Sequence, residues 1–147
     1  MRKTPLKRKS KSPSAILRDD IQEYVRLIVT KRDKGCILRS IRGCNALADV
    51  IDDKVVSEVV IQADHLRPRN HSATYADTRL IVCVCRGCHF WKKYHEQEYN
   101  ALVRTLISKE RVALWDKAID ERFTAFRTGA SDWALHLVAL KKEYKSL

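Results

Sequence analysis

Residues 55–65 read VVSEVVIQADH, and residues 80–89 read LIVCVCRGCH. Both stretches are dense in β-branched residues, which favour strands. The first predicts a strand over 55–61 that runs directly into the polar tetrad 62–65. The second predicts a short strand that is interrupted by a CxxC pair. Two strands that end in acidic, imidazole and thiol side chains predict a small hairpin that carries the chemistry of the protein.

An amphipathic helix is predicted before the first strand. It begins at Ser12 and Pro13, a pair that suits a helix start, and it ends near Gly35. Residues 36–53 have no clear period and are interpreted as an irregular loop or knuckle. The apolar residues of the helix recur at three- and four-residue steps on one face, and they are Leu17, Ile21, Tyr24, Val25, Ile28 and Val29.

Three further helices are predicted over about 96–107, 109–126 and 132–145, with Ser108 and Ser131 at N-cap positions. The chain is therefore expected to be α+β and mainly helical, around one small two-stranded element and without an internal repeat. The aromatic and aliphatic residues expected in the core of these helices are Trp115, Ile119, Phe123, Phe126, Trp133, Leu137, Leu140 and Tyr144.

The charge balance points to a polyanionic partner. The 29 Lys and Arg residues exceed the 18 acidic residues, which gives a formal charge of +11 and favours nucleic acid. No apolar run reaches about 18 residues, so a membrane is not expected. Residues 1–12 hold six positive side chains and no acids and predict a basic disordered arm, or simply a solvated tail. Residues 13–147 are expected to form one domain, with a core over about 36–95 and C-terminal helices over 96–147.

Five cysteines occur, and in a reducing compartment they serve as metal ligands or buried thiols rather than as disulfides. Cys85 and Cys88 form the CxxC knuckle, and Cys36 and Cys44 lie on the far side of the first predicted strand. Four thiolates suit a tetrahedral structural zinc, so we predict one such ion. The alternative for Cys36 and Cys44, which are unusually far apart in sequence, is two buried or free thiols. Cys83 is expected to point away from Cys85 and to be a small buried hydrophobe.

Residues 85–89 also spell CxxCH, the attachment motif of a c-type haem. Haem attachment requires export, yet the basic N-terminus is not followed by an apolar stretch of about 7 to 15 residues, as a signal peptide requires. The haem interpretation would also leave Cys36 and Cys44 without a role. We therefore expect zinc, in a protein that stays in the cytoplasm.

Three residues near the cysteines form a candidate catalytic group. Asp64 and His65 end the first predicted strand, and His89 follows the CxxC knuckle at the start of a helix. The pKa of histidine lies close to neutrality, so His65 can take a proton from water, while Asp64 and His89 can hold a divalent ion. His71 and His95 lie nearby in sequence but outside this pattern. Each of the three residues alone has an ordinary explanation, namely a surface pair or an extra zinc ligand.

Together these residues resemble the HNH endonucleases, and in particular the phage lambda NinG (Rap) family of recombination endonucleases. The resemblance covers about residues 20–147 and rests on the helix 21–33 before Cys36, the Ala63-Asp64-His65 entry, the CxxC knuckle and the closing helix 133–144. It implies a zinc-stapled ββα-metal core with flanking helices. It also implies an enzyme in the bacterial host cell that nicks branched DNA, such as Holliday junctions and D-loops.

By position, the resemblance implies that His65 is the general base and that Asp64 and His89 bind a catalytic Mg²⁺ or Mn²⁺ ion. It implies that the four paired cysteines bind the structural Zn²⁺. The sequence departs from the family pattern at Leu80, where an Asn usually pins the loop that carries the catalytic histidine. Leu80 cannot form that hydrogen bond, so either Asp77, Thr78 or Arg79 substitutes or the site is looser.

Basic residues beside the candidate centre are the predicted DNA phosphate contacts, with an ordinary solvated basic face as the alternative. The main functional alternative is a non-catalytic zinc-binding module that binds DNA, and a second is an HNH nuclease that cuts ordinary duplex. The oligomeric state, a homodimer included, stays open. The predicted phosphate contacts are Arg67, Arg69, Lys92 and Lys93.

Overall fold

Residues 9–67, 74–120 and 130–147 are the part of the chain that the computed structural model describes. This part contains six α-helices and two antiparallel two-stranded sheets. The α+β, mainly helical class predicted from the sequence is confirmed. The bounds are α1 Pro13–Asp33, α2 Arg39–Arg42, β1 Asp49–Ile51, β2 Lys54–Val56, β3 Ile61–His65, β4 Ile81–Cys85, α3 Arg86–Lys92, α4 Glu96–Leu106, α5 Lys109–Asp120 and α6 Ala130–Lys145.

Helix α1 begins where the sequence predicts. Ser12 is the N-cap, its Oγ accepts a hydrogen bond from the backbone N–H of Ala15 at 3.2 Å, and Pro13 fills the first helical position. The helix ends because Lys34 adopts a left-handed conformation, with φ of 57°, and its N–H donates to the Thr30 carbonyl at 2.8 Å. Much of the predicted apolar face is buried, at Ile21, Val25, Ile28 and Val29.

Strands β3 and β4 form the central hairpin, in which Asp64 lies opposite Val82 and His65 lies opposite Ile81. Every residue of β4 is buried, and both strands pack against α1. A strand that is covered on both faces usually has a continuously apolar sequence, as residues 81–85 have. Helix α6 also packs against α1, so α1 contacts both the hairpin and the C-terminal helix.

The C-terminal end of α1 fixes the position of β4 through an ion pair. Arg32 pairs with Asp33, and its guanidinium also donates to the carbonyls of Thr78 at 2.7 Å and Ile81 at 2.6 Å. The Asp33 carboxylate accepts the backbone N–H of Cys83 at 2.9 Å. These charge-assisted bonds to the backbone hold the first residues of β4 against α1.

The segment 36–53 contains more regular structure than the irregular loop predicted for it. It holds the short helix α2 and strand β1, and β1 pairs with β2 across a two-residue turn. Asp52 and Asp53 form this turn with positive φ of 51° and 58°, which Asp tolerates better than most residues. The prediction of a single two-stranded element is therefore wrong, because a second hairpin precedes the central one.

The prediction of one continuous strand over 55–61 is also wrong, because this stretch is interrupted. Strand β2 ends at Val56 and β3 begins at Ile61, and Ser57 lies at the break. The Ser57 hydroxyl donates to the Leu47 carbonyl at 2.7 Å and accepts the backbone N–H of Val59 at 3.3 Å. These side-chain bonds turn the backbone away from an extended course, so the tetrad 62–65 belongs to a separate strand.

The C-terminal helices follow the sequence prediction in part. The Ser108 N-cap is confirmed, because its Oγ accepts the N–H of Arg111 at 3.2 Å. The Ser131 N-cap is wrong, since helix α6 already includes that residue. Ile119 is largely exposed rather than buried, because the buried face of α5 is defined by Trp115 and Ala118.

The remaining predicted core positions divide into three groups. The C-terminal end of the helix predicted over 109–126, with Phe123 and Phe126, lies outside the described residues. Tyr144 is partly buried, and its ring meets that of Tyr24 edge-on at 5.9 Å, which joins α6 to α1. The predicted core residues that are buried are Trp115, Trp133, Leu137 and Leu140.

Most of the predicted basic arm, at residues 1–8, also lies outside the described residues. The last part of the predicted arm is attached to α1, because Lys11 forms an ion pair with Asp19 and Ser12 caps the helix. Among the described helices, none combines the length and apolar character needed to cross a lipid bilayer.

Gly35 permits the chain to turn from α1 into the cysteine loop. Its φ is +130°, and a Cβ atom at this position would lie 2.2 Å from the carbonyl oxygen of Ala46. The next residue, Cys36, donates its backbone N–H to the same carbonyl at 2.7 Å. A side chain on Gly35 would therefore push apart the two segments that meet at Cys36.

We predict that Gly35→Ala lowers the free energy of unfolding by at least about 3 kcal/mol, because it combines a backbone clash with a strained φ. Gly43→Ala is the matched control. Gly43 also has positive φ, of +69°, but a Cβ there would meet nothing within 4 Å. The control should lose only about 1 kcal/mol. Equal urea midpoints for the two variants would contradict this assignment.

Candidate functional site

The two cysteine pairs predicted from the sequence lie together. Their four Sγ atoms are all within 4.8 Å of one another. A zinc ion with Zn–S bonds of about 2.3 Å holds its sulfurs about 3.8 Å apart, so this cluster fits a tetrahedral ion with small adjustments. The four cysteines could therefore hold a metal ion such as zinc. The ligand set is Cys36 after α1, Cys44 after α2, Cys85 at the end of β4 and Cys88 in α3.

The four thiols are not electrostatically equivalent. Burial raises the pKa of the Cys36 thiol well above its usual range and raises the pKa of Cys88 to about 11. Burial also acts to raise the pKa of Cys85, but hydrogen bonds from Cys88 and the neighbouring thiols outweigh it and lower that pKa. The Cys88 N–H lies 3.4 Å from the Cys85 Sγ. Cys85 is thus the thiol best prepared as a thiolate, and metal binding would displace protons from the others.

Cys83 is buried and does not belong to the cluster, as predicted. Strand alternation does not explain this separation, because residues two apart in a strand, such as Cys83 and Cys85, point to the same face. Instead, Cys83 lies against α1, where its thiol contacts Thr30 and faces the charge of Asp33. Burial and that charge raise its pKa to about 12.

Asp64 is a buried carboxylate with three side-chain partners. Tyr99 of α4 donates its hydroxyl to Oδ2 at 2.5 Å, and Lys92 of α3 donates Nζ to both oxygens at 2.9 Å. His89 places Nε2 3.3 Å from Oδ1. Burial acts to raise the pKa of Asp64, but the bond from His89, the charge of Lys92 and the bond from Tyr99 outweigh it, so the net pKa is lowered. Asp64 is therefore an anion at neutral pH.

His89 is oriented by Gln62. The His89 Nδ1 lies 2.6 Å from the Gln62 side-chain oxygen, which can only accept, so Nδ1 carries the proton. In the protonated ring, Nε2–H donates to the Asp64 carboxylate, which is the bond described above, and in the neutral ring Nε2 presents a lone pair to it. Two facing acceptors need a proton or a cation between them, so this pair could hold a proton or, with Lys92 displaced, a divalent ion. A hydrogen-bond partner that fixes the tautomer is also typical of metal-binding histidines.

His65 is held by the loop that follows it. Its Nε2 lies 2.9 Å from the Tyr75 carbonyl, an acceptor, so Nε2 carries the proton and Nδ1 is the nitrogen that can accept one. The Tyr75 ring packs against the His65 ring at 5.6 Å and against Trp133 at 5.1 Å. Helix α6 thereby supports the orientation of the imidazole.

The residues around Leu80 attach the segment after His65 without the Asn that the resemblance led us to expect at position 80. Leu80 is buried and uses its backbone, since its carbonyl accepts the Leu66 N–H at 2.9 Å. Thr78 donates its hydroxyl to Glu143 of α6 at 2.7 Å. Asp77 and Arg79 pair with each other at 2.8 Å. The loop is therefore attached to α6 through Thr78.

Asp64, His65 and His89 line one cavity of about 560 Å³ between the β3 strand and α1. Four residues of α1 line its other side, and the sequence prediction missed them. They are spaced i, i+3, i+4 and i+7, which is the one signal that could have indicated a functional polar stripe. The side-chain Nε2 of one of them, Gln22, is buried without a hydrogen-bond partner among the described residues. The four are Asp19, Gln22, Glu23 and Arg26.

The predicted phosphate contacts lie in different environments. Lys92 is engaged by Asp64 and its side chain is 19% exposed, so it is not part of an open basic face. Lys93 is exposed, whereas Arg67 is partly buried. Arg69 lies outside the described residues, as does His71. His95 stacks on Trp91 at 4.8 Å and does not line the cavity.

Comparisons with known proteins add no relative. No family model matches the chain, and neither the curated proteins nor the solved structures contain a significant match.

The cysteine cluster yields a prediction about metal content. Changing Cys36, Cys44, Cys85 or Cys88 to Ser should remove one equivalent of zinc per chain and should lower the melting temperature, because a structural zinc contributes on the order of 10 kcal/mol to folding. Cys83→Ala is the matched control, since it removes an equally buried thiol outside the cluster. Elemental analysis of the purified variants checks this. A control that loses zinc while Cys44→Ser keeps it would show that the ligand set is wrong.

A second prediction concerns Lys92. Lys92→Met should destabilise the protein by about 3 kcal/mol without divalent ions, because a buried carboxylate loses its charged partner. It should also increase the rise in melting temperature that Mn²⁺ produces, since the ammonium no longer competes for Asp64. Lys93→Met is the control, with no expected change in either quantity. The same response to Mn²⁺ in Lys92→Met and in the parent would show that Lys92 and the ion do not compete for Asp64.

Proposed function

We propose that this chain is a zinc-stabilised HNH endonuclease of the NinG type, which hydrolyses DNA phosphodiesters at branched recombination intermediates. One observation carries the proposal. A candidate general base, a buried carboxylate and an oriented imidazole line the same cavity, at His65, Asp64 and His89. They come from a hairpin and the helix that follows it, and the four-cysteine cluster includes two residues at that same junction.

The cysteine cluster acts in this proposal as a structural site. A zinc ion on four thiolates has no open position for water or substrate, so it would stay out of the chemistry. Its contribution is to join the loop after α1 to the end of β4 and the start of α3. His89 directly follows the junction in α3 and lies against Asp64 of β3, so the zinc would help to keep their separation constant.

In the proposed mechanism, a water oxygen attacks the phosphorus in line with the leaving oxygen. His65 removes a proton from that water through Nδ1, because its Nε2–H is bound to the Tyr75 carbonyl. The bond between phosphorus and the leaving oxygen then breaks. A Mg²⁺ ion at Asp64 and His89 would supply the positive charge that stabilises the phosphate and the leaving oxygen. Lys92 would have to move from Asp64 when the ion binds.

The α1 stripe extends the proposed site. Arg26 donates Nε to the Ile61 carbonyl at 3.2 Å, which holds its side chain at the edge of the cavity beside β3. The charge of its guanidinium is well placed to meet a phosphate that enters the cavity. Gln22, with its unsatisfied amide, supplies a further donor to the same ligand. The overall charge of +11 supports a polyanionic substrate.

A second candidate is a non-catalytic zinc-binding module that binds DNA. One observation favours it, because Asp64 already has Lys92, Tyr99 and His89 as partners and can be explained as a structural anchor. In this alternative the same cavity residues fix α3 and α4 to the hairpin. A variant of His65 discriminates between the nuclease and the binding module. A structural role of Asp64 does not require a proton acceptor at residue 65.

We predict that His65→Ala reduces the rate of strand cleavage by about 10² to 10⁴, because the reaction loses its general base. Affinity for a Holliday junction should change little, since phosphate contacts dominate DNA affinity. The assay uses purified protein with a junction and a matched linear duplex, each with and without Mg²⁺. His95→Ala is the control, because this histidine does not line the cavity.

Three results would discriminate the proposals. Cleavage by the parent and the control but not by His65→Ala supports the nuclease. DNA binding without cleavage by any of the three proteins supports the binding module. Equal cutting of the junction and the linear duplex would keep the nuclease but remove its branch preference.

A further inference from the structure

Two aromatic side chains beside the candidate site are largely exposed to solvent. Phe90 in α3 is 63% exposed and Tyr94, just after α3, is 66% exposed. Their ring centroids are 5.6 Å apart and their planes meet at 66°, so they form one local cluster. Burial of large aromatic rings is favourable, so two neighbouring rings that are left exposed are typical of a surface that contacts a partner.

The surroundings of this pair are basic. Arg86 and Lys93 are both exposed, and the Lys93 Nζ lies 5.5 Å from the centre of the Tyr94 ring. A second cavity, of about 660 Å³, opens at this surface, and no carboxylate occurs among the described residues that line it. Its lining combines a flat apolar ring with positive charge and consists of Gln62, Arg86, Gly87, His89, Phe90 and Lys93.

This second cavity is adjacent to the candidate catalytic cavity. Gln62 and His89 line both, so the two spaces meet at the imidazole that faces Asp64. A ligand in contact with His89 on one side would therefore place its neighbouring group beside Phe90, which lines the second cavity. In a nucleic acid, the group next to a phosphate is a nucleoside.

We propose that Phe90, supported edge-on by Tyr94, is a stacking platform for an unpaired nucleobase adjacent to the phosphate in the catalytic cavity, with Arg86 and Lys93 contacting the flanking phosphates. This inference rests on the proposed function, because it assigns the DNA that the site takes. Every nucleobase has a flat π-face, and surfaces that bind single strands combine aromatic rings with basic side chains. A fully paired duplex keeps its bases stacked inside and offers none to the platform. A displaced strand or a flap does.

The test measures binding in the absence of added magnesium, so that the DNA stays intact. The probes are a duplex with one bulged 2-aminopurine and the fully paired duplex of the same sequence. Phe90→Ala and Tyr94→Ala should each weaken binding of the bulged probe about tenfold and abolish the quenching of its fluorescence, whereas binding of the paired probe should change less than about twofold. Tyr94→Phe keeps the ring and should bind the bulged probe like the parent.

Leu135→Ala is the control for loss of an exposed apolar side chain, because Leu135 lies on α6 and is 69% exposed. Equal binding of the bulged probe by the parent and both alanine variants would overturn the platform and leave the nuclease proposal intact. A parent that binds neither probe would overturn both. Loss of binding to phosphatidylserine vesicles, with DNA binding unchanged, would show that the aromatic pair contacts lipid and that the platform is wrong.

Discussion

Four sulfur atoms within 4.8 Å of one another connect two separate parts of the chain. The segment 36–44, which follows α1, and the junction of β4 with α3 at residues 85–88 meet at this cluster, and they lie about 40 to 50 residues apart in sequence. Bringing segments so far apart in sequence together costs loop-closure entropy. A bound metal would help to offset this cost, because the free energy of metal binding contributes to the free energy of folding. The β3–β4 hairpin and α3 depend on this junction for their relative position.

The Asp64 carboxylate is the second fixed point, at the opposite end of the hairpin. Its charge is buried, and it is stabilised by groups from two helices that follow β4, namely Lys92 of α3 and Tyr99 of α4. Removing any donor from a buried anion is costly, so these helices are held at defined positions relative to β3. The residues of this network therefore both fix the packing of α3 and α4 on β3 and include two that line the candidate cavity, Asp64 and His89.

The sequence predicted those features whose signals are local. The Ser12-Pro13 start of α1, the apolar run of β4 and the CxxC pair each follow from a few adjacent residues. The β1–β2 hairpin was missed because its three-residue strands are mostly exposed and carry little periodic signal. The α1 stripe of Asp19, Gln22, Glu23 and Arg26 was missed for a different reason. From sequence alone, polar residues on one face of a helix indicate a surface that faces solvent. Only the tertiary packing places this face against the end of β3.

Lys92 has a different role in each of the two functional proposals, and its contact with Asp64 bears on both. The sequence suggests that it contacts phosphate, whereas its ammonium group lies on the Asp64 carboxylate, where a divalent ion would also bind. A lysine has a flexible stem, and its side chain is 19% exposed, so it has a route from the carboxylate to solvent. An ion that displaces it from Asp64 would release a positive charge beside the candidate cavity. In the nuclease proposal, the ammonium would then stabilise Asp64 before the ion binds and contact phosphate afterwards. In the binding-module proposal, it would remain on Asp64 throughout, because no ion competes for the carboxylate.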